Sequence, residues 1–488
     1  MNDLNRNKRF LQGQRCHNAR SARIGSKGRA FISVVSLLGA IVFIGVLLAS
    51  PELGMQKAVA VGPFPDVDLT LKPLNLPAED RSSQPIPPEP VTRLVASLEQ
   101  TIKSQEADSI TIPAPRARFA NSGLTPLKLD LRADNQLVID RFPDIRSKLA
   151  NQLVGLGNSS HLVFFSVDGQ LQAYLEQLVK SARTPHVAAV VINPKTGAIQ
   201  ALAQRSSSVK NLLLHTGMPA ASLIKVVTTA AALETSTMSP AQLFRFRGGT
   251  YTLNKWNYKS DRRDNRIMSV TEALGRSCNP IFSRVALSFL SPPTLTDYVA
   301  KFGFNTNLKF DLPLPESPAV VPNGEYEFGR TAAGFGDVYI SPIHAAAFVG
   351  ALANHGEMQR PYLVEKVLSA NGERLYEAAP QSLGQTVDPH TARTLLNMME
   401  ATTTKGTSRG EFFINSRPRL PGVRVAAKTG TLNGGNPSGM THWFVAAAPL
   451  ENPTIALAIL TIDAGRAATP PARIGRMILE HLKKRKAL

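Results

Sequence analysis

Residues Ala220 to Leu233 read Ala-Ala-Ser-Leu-Ile-Lys-Val-Val-Thr-Thr-Ala-Ala-Ala-Leu, and between His215 and Glu234 the only formally charged side chain is Lys225. A helix through this stretch is apolar on nearly every face, so the pattern buries that lysine. A lone ammonium in a core must find partners or lose its proton, and desolvation lowers its pKa. A lysine in that state is a competent base. Ser222 stands three residues earlier, one turn away on the same face. At a helix start its N–H is unpaired and can point at a developing oxyanion. Nucleophile, base and oxyanion donor thus share one turn. Read alone, the stretch fits equally well a serine that caps a core helix, with Lys225 reaching outward.

Two further clusters lie downstream. Ser277-Cys278-Asn279 follows a helix-like Thr271 to Arg276 and precedes Pro280-Ile281-Phe282. A hydroxyl and an amide two residues apart on a loop can face one cleft, the amide anchoring a lysine and the hydroxyl relaying a proton. The same residues also suit a plain helix–helix turn. Lys428-Thr429-Gly430-Thr431 ends a strand expected over Val423 to Ala427. Lysine supplies positive potential, Thr429 and Thr431 can hold a carboxylate, and Gly430 admits a close backbone approach. A hairpin end is the ordinary alternative.

Decoys exist. Ser207-Ser208-Val209-Lys210 lies in a polar run with no apolar helix after it, Lys195-Thr196-Gly197 is a turn that precedes every candidate serine, and Ser369-Ala370-Asn371 sits in a strand–turn–strand. Only Ser222, Ser277 and Lys428 combine order with context. Their separations of 55 and 151 residues leave room for a helical subdomain and a return to the sheet.

Around these clusters the pattern alternates. His161 to Phe165 reads as a strand and Gln170 to Lys180 as a helix. Val187 to Ile192 and Ala198 to Ala203 form a hairpin through Asn193-Pro194-Lys195-Thr196-Gly197. Ser341-Pro342 opens a helix that Asn354-His355-Gly356 closes. Strands return at His442 to Ala448 and Thr454 to Ile462, and an amphipathic helix from Arg473 to Lys484 ends the chain. The expected fold is α+β, an antiparallel sheet flanked by helices with an all-helical subdomain, its strands drawn from both ends of the domain.

The 488 residues carry a net charge of +19. Seven of those charges fall in the first 29 residues, ahead of an uncharged run from Ala30 to Ala49 as long as a bilayer core is thick. The positive-inside rule then keeps the N-terminus in the cytosol and exports everything after Ser50. A cleaved signal peptide is the rival, with Ala58-Val59-Ala60 as a small-x-small site, but that site lies far from a run that is long for a signal. The anchor separates Cys16 from Cys278, so no disulfide is expected. The expected organisation is a basic tail over 1–29, a transmembrane anchor over 30–49, a proline-rich stem with a helix from Val91 to Ala107 over 50–159, and the main domain over 160–488. Scattered basic residues without a recognition motif argue against nucleic acid. No metal-binding motif occurs, and no phosphate-binding Gly-x-x-x-x-Gly-Lys-Ser/Thr.

Ser-x-x-Lys, Ser-x-Asn and Lys-Thr-Gly in this order resemble the penicillin-binding proteins and serine β-lactamases. The likeness extends to Ser166 through Gln172, to the hairpin from Val190 to Ala203, to Gly334-Phe335-Gly336 through Ile343, and to Trp443-Phe444-Val445-Ala446. The resemblance implies a class B-like peptidoglycan D,D-transpeptidase without cofactor. Ser222 would attack the carbonyl between the last two D-alanines of a stem peptide, and Lys225 would take its proton. Ser277, tuned by Lys428, would protonate the leaving D-alanine, and Asn279 would orient Lys225 and the peptide. Thr429 and Thr431 would face the terminal carboxylate, and the Thr431 N–H would complete the oxyanion hole. β-Lactams would mimic the first step and stay attached. Pro219-Ala220-Ala221 replaces the Pro-Gly pair common before the serine. The stem is too short for a glycosyltransferase domain, so glycan polymerisation would come from a partner. A β-lactamase is disfavoured by the lack of Glu-x-x-Leu-Asn after Ser277. A D,D-carboxypeptidase, or a non-catalytic penicillin sensor or scaffold, shares the same residues.

Overall fold

The computed structural model describes residues 127–132, 136–143, 148–149, 152–156, 161–369, 371–463 and 469–488. The basic tail, the span expected over 30–49, the helix expected from Val91 to Ala107 and the stem as far as residue 126 lie outside the described residues. Among the described residues no helix is long and apolar enough to cross a membrane.

Five antiparallel strands build the central sheet: β1 (His186–Ile192), β2 (Ile199–Arg205), β3 (Ala426–Asn433), β4 (Met440–Ala448) and β5 (Ile455–Asp463), in the order β3-β4-β5-β1-β2. Every residue of β1 and β5 is buried, as their unbroken apolar runs require of strands covered on both faces. Alternate residues feed separate cores. Trp443, Val445 and Ala447 join one, while Phe444, Ala446 and Ala448 join the other. Period-two side-chain direction alone produces this division.

Nine helices of seven residues or more are described: α1 (Gly169–Ser181), α2 (Ile224–Thr235), α3 (Val270–Arg276), α4 (Asn279–Phe289), α5 (Pro292–Lys301), α6 (Glu325–Ala332), α7 (Pro342–Ala353), α8 (Pro389–Met399) and α9 (Pro471–Lys484). α1 and α9 bury their apolar stripes in the Phe444 core, and α7 and α2 to α4 pack into the Trp443 core. Asp168 caps α1 by accepting from the N–H groups of Gln170 and Leu171, and Ser341 caps α7 by accepting from that of His344. α7 is buried along its whole length.

Three expectations change. The helix-rich middle is not all helical, because Leu243–Phe246 pairs with Arg266–Ser269, and Leu243 to Phe246 alternate strictly between exposed and buried. The strand that carries Lys428 does not end at Ala427. β3 starts at Ala426 and runs to Asn433, because its ladder with β4 continues from Ala426 opposite Ala447 to Asn433 opposite Met440. Polar side chains there mask a strand that backbone pairing sustains. Finally, Gln152–Leu156 pairs with Leu162–Phe165 in a second five-stranded sheet, which therefore draws on both sides of residue 160.

Candidate active site

Ser222 sits in a single 3-10 turn, Ala221–Leu223, that leads directly into α2. Lys225 is in the first turn of α2 and is fully buried. Its Nζ stands 2.7 Å from Ser222 Oγ and 2.8 Å from Asn279 Oδ1, and also donates to the carbonyl of Ala333. The ring centroid of Phe282 lies 5.7 Å away. These neighbours are neutral, so Lys225 has acceptors and a π face but, among the described residues, no counter-ion. Burial, together with the charge of Lys428, holds its pKa well below the ordinary lysine value. The neutral amine favoured by such a site has a lone pair to offer the serine hydroxyl.

Ser277 ends α3 in the left-handed conformation, φ +58° and ψ +43°, and Asn279 begins α4. The expected loop is thus a tight helix–helix turn. Cys278 between them is buried, while Ser277 and Asn279 line the same cavity as Ser222. Asn279 is fixed through its own N–H, which donates to Thr250 O at 2.8 Å, and through its side-chain amide, which donates to Tyr251 O at 2.7 Å. That orientation leaves Oδ1 for Lys225.

Lys428 is also fully buried, and burial pushes its pKa down to about 7. It donates to Ser277 Oγ at 3.0 Å and to Thr429 O at 2.7 Å. The structure therefore brings Ser222, Lys225, Ser277, Asn279 and Lys428 into one hydrogen-bonded pair of chains beside a cavity of about 640 Å³. Thr429 and Thr431 line that cavity. Gly430 does not; it packs between the carbonyl of Ala220 and the side chain of Trp443. Trp443 Nε1 donates to Pro219 O at 2.9 Å, tying β4 to the segment that presents Ser222. The decoys stay apart: Ser207, Ser208 and Lys210 are exposed on the loop after β2, and Ser369 and Asn371 lie in a turn.

Several contributors carry no motif. Gly334, at φ +98°, lies so close behind the nucleophile that a Cβ would stand 2.6 Å from Ala221 O and 3.0 Å from Ser222 N. The carbonyls of Ala333 and Tyr251 are backbone groups that any residue could supply. The hydroxyls of Thr407 and Thr429 are in hydrogen-bond contact. His442 lines the cavity, with Nε2 3.1 Å from Asp463 Oδ2 and Nδ1 3.3 Å from Thr431 Oγ1. A histidine and an aspartate at the same end of consecutive strands, beside Thr431, is the signal that could have exposed this trio. Among the described residues no group of three or more His, Cys, Asp or Glu side chains could hold a metal ion.

The family model for the penicillin binding protein transpeptidase domain matches residues 187–480. The chain belongs to this family. Curated relatives include the peptidoglycan D,D-transpeptidase PbpA of Mycolicibacterium smegmatis, 28% identical over 53% of this chain and 52% of its own length. The probable peptidoglycan D,D-transpeptidase PbpC of Pseudomonas aeruginosa is 26% identical over 68% of this chain and 58% of its own. The chain thus spans little more than half the length of these relatives. The D,D-transpeptidase domain of a peptidoglycan glycosyltransferase from Eggerthella lenta superposes with a TM-score of 0.59 at 22% identity, covering 75% of this chain and 99% of that one. Penicillin-binding protein A from M. tuberculosis, in its penicillin G acyl-enzyme complex, gives a TM-score of 0.51 at 23% identity over 65% and 80% of the two chains. At these identities the likeness is one of fold, the mixed α/β transpeptidase architecture.

Proposed function

We propose that this chain is a serine D,D-transpeptidase that cross-links peptidoglycan through an acyl-enzyme on Ser222. The observation that carries the reading is the Lys225 amine, fully buried and 2.7 Å from the Ser222 hydroxyl, with no carboxylate among the described residues to hold it charged. Ser222 Oγ attacks the carbonyl between the terminal D-alanines of a stem peptide as Lys225 Nζ takes the hydroxyl proton. The N–H groups of Ser222 and Thr431 receive the developing oxyanion. Ser277, held by Lys428, hands a proton to the departing D-alanine amine. Thr429 and Thr431 face the terminal carboxylate, which the positive potential of Lys428 favours. An amine from a neighbouring stem peptide then opens the ester. A β-lactam enters the same first step and remains attached.

The basic tail and the uncharged run from Ala30 to Ala49 support a single-pass anchor in the cytoplasmic membrane, with the N-terminus inside and the catalytic domain outside. A glycan polymerase is then the natural partner. To test the reading, the detergent-solubilised wild-type chain and Ser222→Ala are incubated with a fluorescent penicillin and run on denaturing gels. Covalent label on the wild type, absent from the variant, supports the acyl-enzyme. A folded wild type that takes no label overturns it.

A further inference from the structure

Beside the cavity mouth, the segment between Leu243–Phe246 and Arg266–Ser269 forms a lobe that the mechanism uses only through two carbonyls, those of Thr250 and Tyr251. The lobe is built to be rigid. Arg284, reaching in from α4, pairs with Asp264 at 2.7 Å, both side chains nearly inaccessible, and also donates to the carbonyls of Asn257 and Lys259. Removing either partner would leave a buried charge, so this clamp fixes the lobe to the helical core.

On this fixed base stands an exposed tryptophan. Trp256 is 51% exposed, yet it is pinned: the Arg247 guanidinium lies 5.2 Å from its ring, Arg247 also donates to its carbonyl, and Gly248 packs so tightly that a Cβ would stand 2.6 Å from the indole edge. A large aromatic held immobile in water gains little for folding, whereas immobility lowers the cost of binding a ligand. The acids in and against the lobe are already engaged, Glu325 among them, by Lys259 and Tyr258. Asp261 is engaged by Arg247 and Arg263, and Asp264 by Arg284. Lys255, Arg262 and Arg266, all exposed, make no ion pair among the described residues.

We infer that this lobe is a docking platform for a carboxylate-bearing saccharide chain, the acceptor strand of the reaction proposed above, on which this inference rests. The indole stacks on the apolar face of a sugar ring while Lys255, Arg262 and Arg266 meet peptide carboxylates carried by the same strand. The residues flanking Trp256 are Asn254, Lys255, Asn257 and Tyr258, and Tyr251, 65% exposed, is a second large exposed aromatic of the same lobe. Aromatic rings set among amides and cations suit an amphipathic sugar whose hydroxyls and carboxylates meet those polar groups. The platform also reaches the chemistry, because the carbonyls of Thr250 and Tyr251 in the same lobe hold Asn279, which in turn holds Lys225.

The test uses the full chain in detergent, with Trp256→Ala and the charge-reversed Arg262→Glu, in two assays. The first is co-sedimentation with purified wall sacculi, competed by chitin oligosaccharides or by polyglutamate; the second is the rate of fluorescent penicillin labelling. Both variants are expected to bind sacculi about tenfold more weakly, while labelling stays at the wild-type rate, and chitin oligosaccharides are expected to compete with the wild type. Sacculus binding unchanged in Arg262→Glu and Trp256→Ala overturns the platform. Competition by polyglutamate alone overturns the saccharide in favour of an acidic polypeptide. If Trp256→Ala loses labelling through a disturbed lobe, Arg262→Glu, which makes no ion pair among the described residues, decides alone. Loss of labelling in the wild type would instead strike at the acyl-enzyme reading itself.

Discussion

Lys428 Nζ lies 3.0 Å from Ser277 Oγ, joining residues 151 positions apart, and both side chains are buried. The lysine belongs to β3 and the serine to the left-handed turn that ends α3. The contact therefore joins the sheet to the helical region at the point where the proposed mechanism protonates the leaving amine.

In the proposed mechanism the two form one relay, so Ser277→Ala and Lys428→Ala are each expected to slow acylation by about 10²- to 10⁴-fold, and the double variant to be scarcely worse than either. Rapid-mixing kinetics with a fluorescent penicillin measures all three. Fully multiplicative losses would show that the pair does not work as a unit.

The two buried lysines give acylation a pH dependence. Lys225 must be neutral to accept the Ser222 proton, so efficiency rises with pH through its depressed pKa. Lys428 titrates at about 7, and losing its charge removes the potential that draws in the substrate carboxylate, so efficiency falls on the alkaline side. Lys225→Met should abolish turnover throughout. A profile that stays flat from pH 5 to 9 would contradict these assignments.

Stability carries the same signature with a definite sign. The folded Lys428 loses its proton near 7, whereas in the unfolded chain it keeps it up to the ordinary 10.5. Across that window the unfolded chain binds more protons, so stability rises with pH from about 7 upward and is lowest below it. Urea midpoints against pH should climb for the wild type and climb less for Lys428→Met.

Gly334→Ala should damage fold and chemistry together. Its φ of +98° and the 2.6 Å approach to Ala221 O leave no place for a methyl group. The strain is expected to cost about 1–3 kcal/mol, and the displaced Ser222 turn to slow penicillin acylation while global secondary structure persists. Unchanged melting temperature and unchanged labelling would show that the turn does not depend on that glycine.

How much of this was legible in the sequence depended on how local each feature is. Ser222 and Lys225 are one turn apart in an apolar stretch that suggests the burial of Lys225, so one segment raised the pair, while a serine cap with an outward lysine fitted it equally well until the later motifs were added. Ser277, Asn279 and Lys428 became convincing only through their order, since a helix–helix turn and a strand are what they locally form. The hairpin from His186 to Arg205 and the capped helix from Ser341 were readable from turn and cap chemistry. Hidden from sequence were the backbone acceptors, Ala333 O and Tyr251 O, whose positions follow from tertiary packing and not from side-chain type. The extent of β3 was hidden as well, because Lys-Thr-Gly-Thr has no apolar alternation and its strand exists through pairing with β4. The short strands from Leu243 and Arg266 were lost inside a helix-rich stretch. Gly430, read as making room for substrate, also packs against Ala220 and Trp443, a contact that no local pattern announces.

Cys278 offers a check on the turn between Ser277 and Asn279. Its thiol is buried, and burial pushes its pKa up to about 11. Iodoacetamide at pH 8 should leave Cys278 unmodified in the folded chain and alkylate it fully in urea, as read by peptide mapping. Rapid modification of the native protein would mean that the turn opens far more than its packing implies.

The position of the acyl group decides whether Ser222 is the nucleophile. The protein is reacted with penicillin, digested with trypsin, and the peptide Asn211–Lys225 is sequenced by tandem mass spectrometry. One penicilloyl adduct is expected, on Ser222, and none on that peptide from Ser222→Ala. An adduct on Ser277 or elsewhere, or an unmodified peptide from folded protein, would contradict it.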